Sequence, residues 1–257
     1  MTGLAMVQSF IDKAEGLRRP ADLQALMAET TLELGFSYFA LIHHVDLTRY
    51  SASLDHMVRG ELVALTTYPE AWVELFQRER MVDNDPILLA SHRTNVGFLW
   101  EKMDKLITVT QAHRDHRERA RRSGLGDGFT VPANVPGQVN GSCSFAMPVG
   151  RSAPVANVQL AQLIGSFAFQ AARTMVVRAQ HGCLPQIEVL TTRELDCIRL
   201  VAKGKHDEDI AAILGIAKGT VKRHIENARV KYDVGTRWQV VTRAMFEGHL
   251  GLVDALR

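Results

Sequence analysis

LTTRELDCIRLVAKGKHDEDIAAILGIAKGTVKRHIENARVKY, residues 190–232, is the stretch that decides the architecture of the C-terminal end. Thr191 or Thr192 can N-cap a helix whose first turn holds Glu194, an acid suited to the positive helix start. Leu195, Ile198, Leu200 and Val201 supply its apolar face, and Gly204 ends it. Asp207 is expected to cap a second helix, DEDIAAILG, which Gly215 stops. The short turn IAKG leads into a third helix, TVKRHIENARVKY. Two short helices joined by a brief Gly-containing turn make a helix-turn-helix. Its last helix carries Lys218, Lys222, Arg223, Arg229 and Lys231 against the single acid Glu226, and a helix of this charge fits the DNA major groove.

Charge supports that reading. Residues 190–257 hold 12 Lys+Arg and 9 Asp+Glu, a net of +3, while the rest of the 257-residue chain carries −1. The length suits one large domain or two ordinary ones, and 46% hydrophobic residues can fill their cores. No apolar run approaches the roughly 18 residues of a membrane span. The N-terminus MTGLAMVQSFIDKAEGLRR lacks the pattern of a signal peptide, so a cytoplasmic protein with no membrane partner is expected. Cys143, Cys183 and Cys197 are odd in number and far apart, which fits reduced thiols rather than a disulfide framework or zinc knuckle.

Upstream, HGCLPQIEVL has Gly182 and Pro185 as punctuation, and 181–189 reads as a linker. Before it, residues 155–179 are the longest periodic segment, with Val158, Ala161, Ile164, Ala168, Ala171 and Met175 on one stripe. The stripe exceeds what a small reader domain could cover, which suggests a dimer helix. Residues 21–35 read as a helix stopped by Gly35. FSYFALIHHV, ELVALTTYP, FTVPANVPG and SCSFAMPVG read as strands, and QAHRDHRERARRSG as a solvated helix ended by Gly124. The expectation is an α+β chain: residues 1–180 as a mixed helix-and-sheet domain and 190–257 as a small all-α domain. Nothing near the start resembles the βα pattern and acidic cluster of a phosphorylation receiver.

TTYPEAWVELFQRERMVDNDP, residues 66–86, is the other informative stretch. Pro69 and Glu70 suit a helix start, and Tyr68, Trp72 and Phe76 then share one face. That face reads either as core or as a pocket wall. Buried Tyr and Trp each bring a polar tip needing a partner, and a buried Asp85 needs hydrogen bonds, so one polar small molecule could satisfy all three.

Two resemblances join these readings. Residues 190–245 resemble the LuxR-type helix-turn-helix through LTTRE, AKGK, DIAAILGI, TVKRHIENARVKY and GTRWQVV, departing from it at His206, where Ser or another small polar residue is usual, and at Ala217, where Ser is usual. The N-terminal 180 residues resemble the autoinducer-binding domain of LuxR-type quorum-sensing receptors. Tyr68, Pro69 and Trp72 are similar to its YPxxW signature and Asp85-Pro86 to its DP pair. Trp100 takes the place of a second pocket tryptophan, Gly141 precedes the last pocket strand, and Ser144 matches a hydroxyl that faces the ligand. The resemblance implies an α-β-α sandwich with an antiparallel sheet, enclosing an N-acyl-homoserine lactone. It implies that Trp72 donates to the lactone carbonyl, Asp85 accepts the amide N–H, and Tyr68 reaches the amide carbonyl with Ser144. Phe76 stands where many members have Tyr, which keeps an aromatic wall and removes a hydroxyl.

The residues expected at DNA are Lys218, Thr220, Lys222, Arg223, Asn227, Arg229 and Lys231. Lys222 and Arg223 would face base edges, and Arg229 and Lys231 phosphates. The implied partners are an inverted-repeat promoter site, a second copy of the chain, the autoinducer and RNA polymerase, with no cofactor. A receptor for a non-lactone or host-derived signal and a ligand-independent regulator are the alternatives. An enzyme is disfavoured, because neither GxSxG nor a phosphate loop is present. His43-His44 and His113/His116 lack zinc-like companions, and the glycines of 124–128 precede a strand, which makes a turn of them.

Overall fold

The computed structural model describes residues 3–43, 64–79, 81–134, 140–181 and 190–251. They fall into two compact units, one holding the sheet and the helices through His181, the other the helices from Thr192 onward. Residues 182–189 of the expected linker lie outside the described residues.

The first unit opens with helices α1 (Gly3–Gly16) and α2 (Pro20–Glu33). Pro20 at the helix start and the Arg19–Asp22 pair favour initiation of α2, and Gly35 turns the chain at φ +83°. Helix α1 was not among the expected elements; it buries only the narrow stripe Val7, Phe10 and Ala14. Five strands follow: β1 (Tyr38–His43), β2 (Ala64–Thr66), β3 (Phe98–Leu99), β4 (Leu125–Ala133) and β5 (Gly141–Pro148). They form one antiparallel sheet in the order β2-β1-β5-β4-β3. Of the expected strand ELVALTTYP, residues 61–63 lie outside the described set.

Alternation along the strands sorts side chains to two faces. Phe39 and Leu41, Phe129 and Val131, and Cys143, Phe145 and Met147 join the core with α1, α2 and α6 (Val158–His181). Gly141 lets that helix approach: a Cβ there would sit 2.1 Å from the Phe169 ring. The opposite face carries Tyr38, Leu125 and Ala146 and is covered by α3 (Glu70–Arg78), α4 (Pro86–Ser91) and α5 (Gln111–Arg122). The result is the expected α-β-α sandwich. Two expectations change. The helix read as solvated, α5, buries His116 and Ala120. The glycine-rich 124–128 segment is already strand, since β4 starts at Leu125 and carries an irregularity before Gly128.

The second unit holds α7 (Thr192–Ala202), α8 (Asp207–Leu214), α9 (Lys218–Lys231) and α10 (Arg237–Phe246). Thr191 caps α7 in a reciprocal box with Glu194. Its buried positions are Glu194, Cys197, Ile198 and Val201, with Leu195 and Leu200 only partly covered. His206, not Asp207, precedes α8 as its cap, its N–H donating to Asp209. Helix α9 begins two residues earlier than expected, after Ala217, and Gly215 at φ +66° makes the turn.

Candidate ligand and nucleic-acid sites

The first site is built on the second face of the sheet. Asp85 N-caps α4: its Oδ1 accepts the Ile87 N–H at 2.7 Å, which fixes the carboxylate although the residue is buried. Trp72, 4% exposed, projects from the first turn of α3. Trp100 follows β3 directly and lies against Gly128, where a Cβ would fall 2.9 Å from the indole and 2.4 Å from the Phe145 carbonyl oxygen. A hydrogen-bond chain then crosses the strands. The Trp100 indole donates to Thr130 at 2.7 Å, the Thr130 and Ser144 hydroxyls are 2.7 Å apart, and Tyr68 lies near enough to Ser144 to interact with it.

Helix α5 supplies the last wall. Thr110 caps it by accepting the His113 N–H, so His113 serves the helix start. One turn later His116, 6% exposed, places Nε2 3.6 Å from Asp85 Oδ2. Its ring stands edge-on to Trp72, with centroids 5.3 Å apart, and to Phe76 at 6.3 Å. Arg117 donates to the Gly126 carbonyl at 3.1 Å and to Asp127 at 3.2 Å, and its guanidinium lies 4.6 Å from the Trp100 ring centre.

Tyr68, Trp72, Asp85, Trp100 and Ser144 thus converge on one cavity. His116, Arg117 and Ala120 join them, and Ala40, Ile42, Ile87, Leu88 and Leu125 make its apolar side. Phe76 stands behind this lining, packed on Trp72 and His116. Sequence reasoning missed His116, Arg117 and Thr130. The signal for the first two was the pairing of His116 with Ala120 four residues on, an apolar notch in an otherwise charged helix.

Electrostatics differ across the cavity. Burial pushes Asp85 toward the neutral acid, but His116, the Ile87 N–H and the Arg117 charge outweigh it and hold the carboxyl below its ordinary value. Burial pushes the Tyr68 phenol well up, so it stays a hydroxyl donor. The Trp100 indole N–H is taken by Thr130, whereas the Trp72 indole donates to no residue among those described and is not one of the fully enclosed unpartnered atoms. Burial also raises the free thiols Cys143 and Cys197, the latter to about 11. Cys183 lies outside the described residues, and among those described no His, Cys, Asp and Glu group could hold a metal ion.

The second site is α9. Val221 and Ala228 face inward, and Lys222, Arg223, Glu226, Asn227 and Val230 form the exposed ridge. The seven residues expected at DNA do not stand alike. Thr220 is partly covered, while Lys222, Arg223 and Asn227 are exposed. Lys218 pairs with Glu208 of α8. Arg229 is held by Glu226 at 2.8 Å and by the Val234 carbonyl at 3.2 Å. Lys231 reaches Glu194 at 2.7 Å, and Glu194 is only 3% exposed.

A ligand-binding sandwich and a helix-turn-helix in one chain define a signal-responsive DNA-binding regulator. Residues 19–172 match the model of the autoinducer binding domain, and residues 188–244 that of the bacterial regulatory proteins of the luxR family. The chain belongs to the LuxR family of autoinducer-binding transcriptional regulators, whose members are not enzymes. It is 25% identical over 250 residues to the transcriptional activator protein AhyR of Aeromonas hydrophila, covering 96% of this chain and 91% of AhyR. To the regulatory protein SdiA of Escherichia coli (strain K12) it is 27% identical over 235 residues, covering 90% and 95%. A solved structure of SdiA in complex with octanoyl-rac-glycerol matches with a TM-score of 0.63 at 22% identity, covering 96% of each chain. Among the described residues no helix is long and apolar enough to cross a membrane.

Proposed function

We propose that the first unit binds an N-acyl-homoserine lactone and that the second reads an inverted-repeat DNA site within a homodimer, acting on RNA polymerase in the cytoplasm. The observation that carries the ligand reading is the Trp72 indole. It lines the cavity, is 4% exposed and has no acceptor among the described residues. An indole N–H that lines a cavity and donates to no residue among those described is free to meet a lactone carbonyl. Opposite it, Asp85 is an ionised acceptor for an amide N–H, and Tyr68 with Ser144 offers hydroxyls to the amide carbonyl. Ala40, Ile42, Ile87, Leu88 and Leu125 form an apolar side suited to the acyl chain. The reading requires no cofactor besides this signal.

The stripe of Ala161, Ile164, Ala168 and Met175 is covered by the sheet unit's own core rather than left for a partner, and dimerisation is supported instead by Leu163 and Phe167, a turn apart on α6 and 38% and 40% exposed. A second copy would bury them. For DNA, Lys222, Arg223 and Asn227 are placed to meet bases, with Thr220 near the helix start and Lys218, Arg229 and Lys231 framing them.

The test is mass spectrometry of an organic extract of the purified full chain, paired with thermal melts. Binding to the native state alone raises stability by about 2.7 kcal/mol at a hundredfold excess of lactone over Kd. The expected result is a lactone in the extract and a midpoint that climbs with added lactone. Identical midpoints at saturating lactone, across a panel that includes acyl esters such as octanoyl-rac-glycerol, would refute ligand sensing.

A further inference from the structure

We propose that His116 is a positioning residue of the head-group site, and that it makes the cavity select ligands carrying an amide N–H over those with an ester oxygen in its place. This rests on the reading of Asp85 as the ligand's acceptor. Three features meet at the histidine. The two oxygens of Asp85 are used differently: Oδ1 is taken by the Ile87 N–H at 2.7 Å, while Oδ2 faces His116 Nε2 at 3.6 Å. That spacing is too long for a completed hydrogen bond but close enough for strong interaction with the carboxylate, so Oδ2 keeps room for a second donor. The ring has little freedom to leave, because Trp72 and Phe76 grip it edge-on at 5.3 and 6.3 Å. Both line the cavity, the side chain of His116 7% exposed and that of Asp85 13%.

The chemistry follows from desolvation. A carboxylate enclosed with an acyl chain tends to take up a proton, and a protonated Asp85 becomes an O–H donor that accepts an ester as readily as an amide. His116 opposes this by staying beside Oδ2 when ligand displaces water, with Arg117, the next residue, adding a more distant positive charge. Tyr68 and Trp72 share the cavity lining with Asp85 and carry no charge to compete. Kept ionised, Asp85 is an acceptor only. An amide N–H then completes the site, whereas an ester oxygen sets lone pair against lone pair and leaves a buried acceptor unpaired. Sites built to hydrogen-bond one group reject the analogue lacking it.

The experiment measures the Kd of the full-length chain for N-octanoyl-homoserine lactone and for the same molecule with oxygen replacing the amide N–H. The wild type should prefer the amide by about tenfold or more. His116→Phe keeps an aromatic ring between Trp72 and Phe76 but removes both nitrogens, and should collapse the ratio about tenfold, chiefly by weakening the amide. His116→Gln restores an N–H near the Nε2 position and should hold the ratio within about threefold of wild type. A Phe variant that weakens both ligands equally has lost packing alone and overturns the proposal, as does a Gln variant with a ratio as low as the Phe variant's. If the Phe variant does not fold, the Gln variant decides by its ratio. Asp85→Asn separates the two levels. If it collapses the ratio while His116→Phe does not, the histidine assignment alone falls. If it leaves the ratio unchanged, or the wild type binds neither probe, the head-group reading falls and this inference with it.

Discussion

Two tryptophans face one cavity and are used in different ways. Trp100 has its N–H satisfied by Thr130, so it serves as a wall held by the protein; Trp72 has no such partner. Trp72→Phe should therefore leave unfolding free energy within about 1 kcal/mol of wild type while raising the half-maximal lactone dose in a reporter strain about tenfold. Thr130→Val should do the reverse in part. It strands the buried Trp100 N–H and breaks the link to Ser144, at a cost of about 1–3 kcal/mol in denaturant unfolding. Equal effects of the two variants on both measurements would contradict this division. At this scale legibility was uneven. Tyr68, Trp72, Asp85, Trp100 and Ser144 stood out because their types and spacings resemble a family pattern. His116 did not, because its neighbours Arg114, Asp115, Arg117, Glu118 and Arg119 make the segment look wet. Its burial depends on how Arg117 clamps α5 onto Gly126 and Asp127 of β4, contacts that no local pattern reveals.

Among the elements, α9 joins reading and support in one helix. Arg223 is exposed on its outer ridge, so Arg223→Ala should cost about 1–3 kcal/mol on a specific site and leave the melting midpoint unchanged. Lys231 is tied to the buried Glu194, whose other duty is the capping box of α7. Lys231→Ala should lower stability by about 2–3 kcal/mol, less than the loss of a fully buried pair because Lys231 is 29% exposed. Band shifts on specific and random DNA, beside melts, distinguish the two roles. The same pair sets a pH dependence. Burial pushes Glu194 up, but Lys231 and the Thr191 groups outweigh it and hold the acid below its ordinary 4.5. Its contribution is therefore present above that value and fades as pH falls through the lower, folded one. Glu194→Gln should flatten the acid limb of the unfolding curve. From sequence, Lys231 was simply one more cation on a basic helix. Helix periodicity places it near the C-terminal end of α9 but does not show that a glutamate 37 residues earlier lies beside it.

For the whole molecule, the proposed reading joins two units through a signal and a second copy. Leu163→Glu should shift the chain from dimer to monomer in sedimentation and weaken binding to an inverted repeat, with lactone affinity held within about threefold. A variant that remains dimeric would place the interface elsewhere. The division into a mixed unit and a helical unit was legible, since turn residues and a change of periodicity mark it. Helix α1 was less so, because its buried stripe is narrow, only Val7, Phe10 and Ala14, with polar Gln8, Ser9, Asp12 and Lys13 between these anchors.

The alternation along β1, β4 and β5 has a consequence for how such a receptor can diversify. Phe39, Leu41, Phe129, Val131, Cys143 and Phe145 hold the core, while Ala40, Ile42, Thr130 and Ser144 turn the other way. Point substitutions at the second set can explore new signals while the first set keeps the fold. An insertion or deletion of one residue within a strand would exchange the two sets at a stroke. Lineages changing their chemical vocabulary should therefore do so by substitution within these strands, and vary in length only at the loops between them.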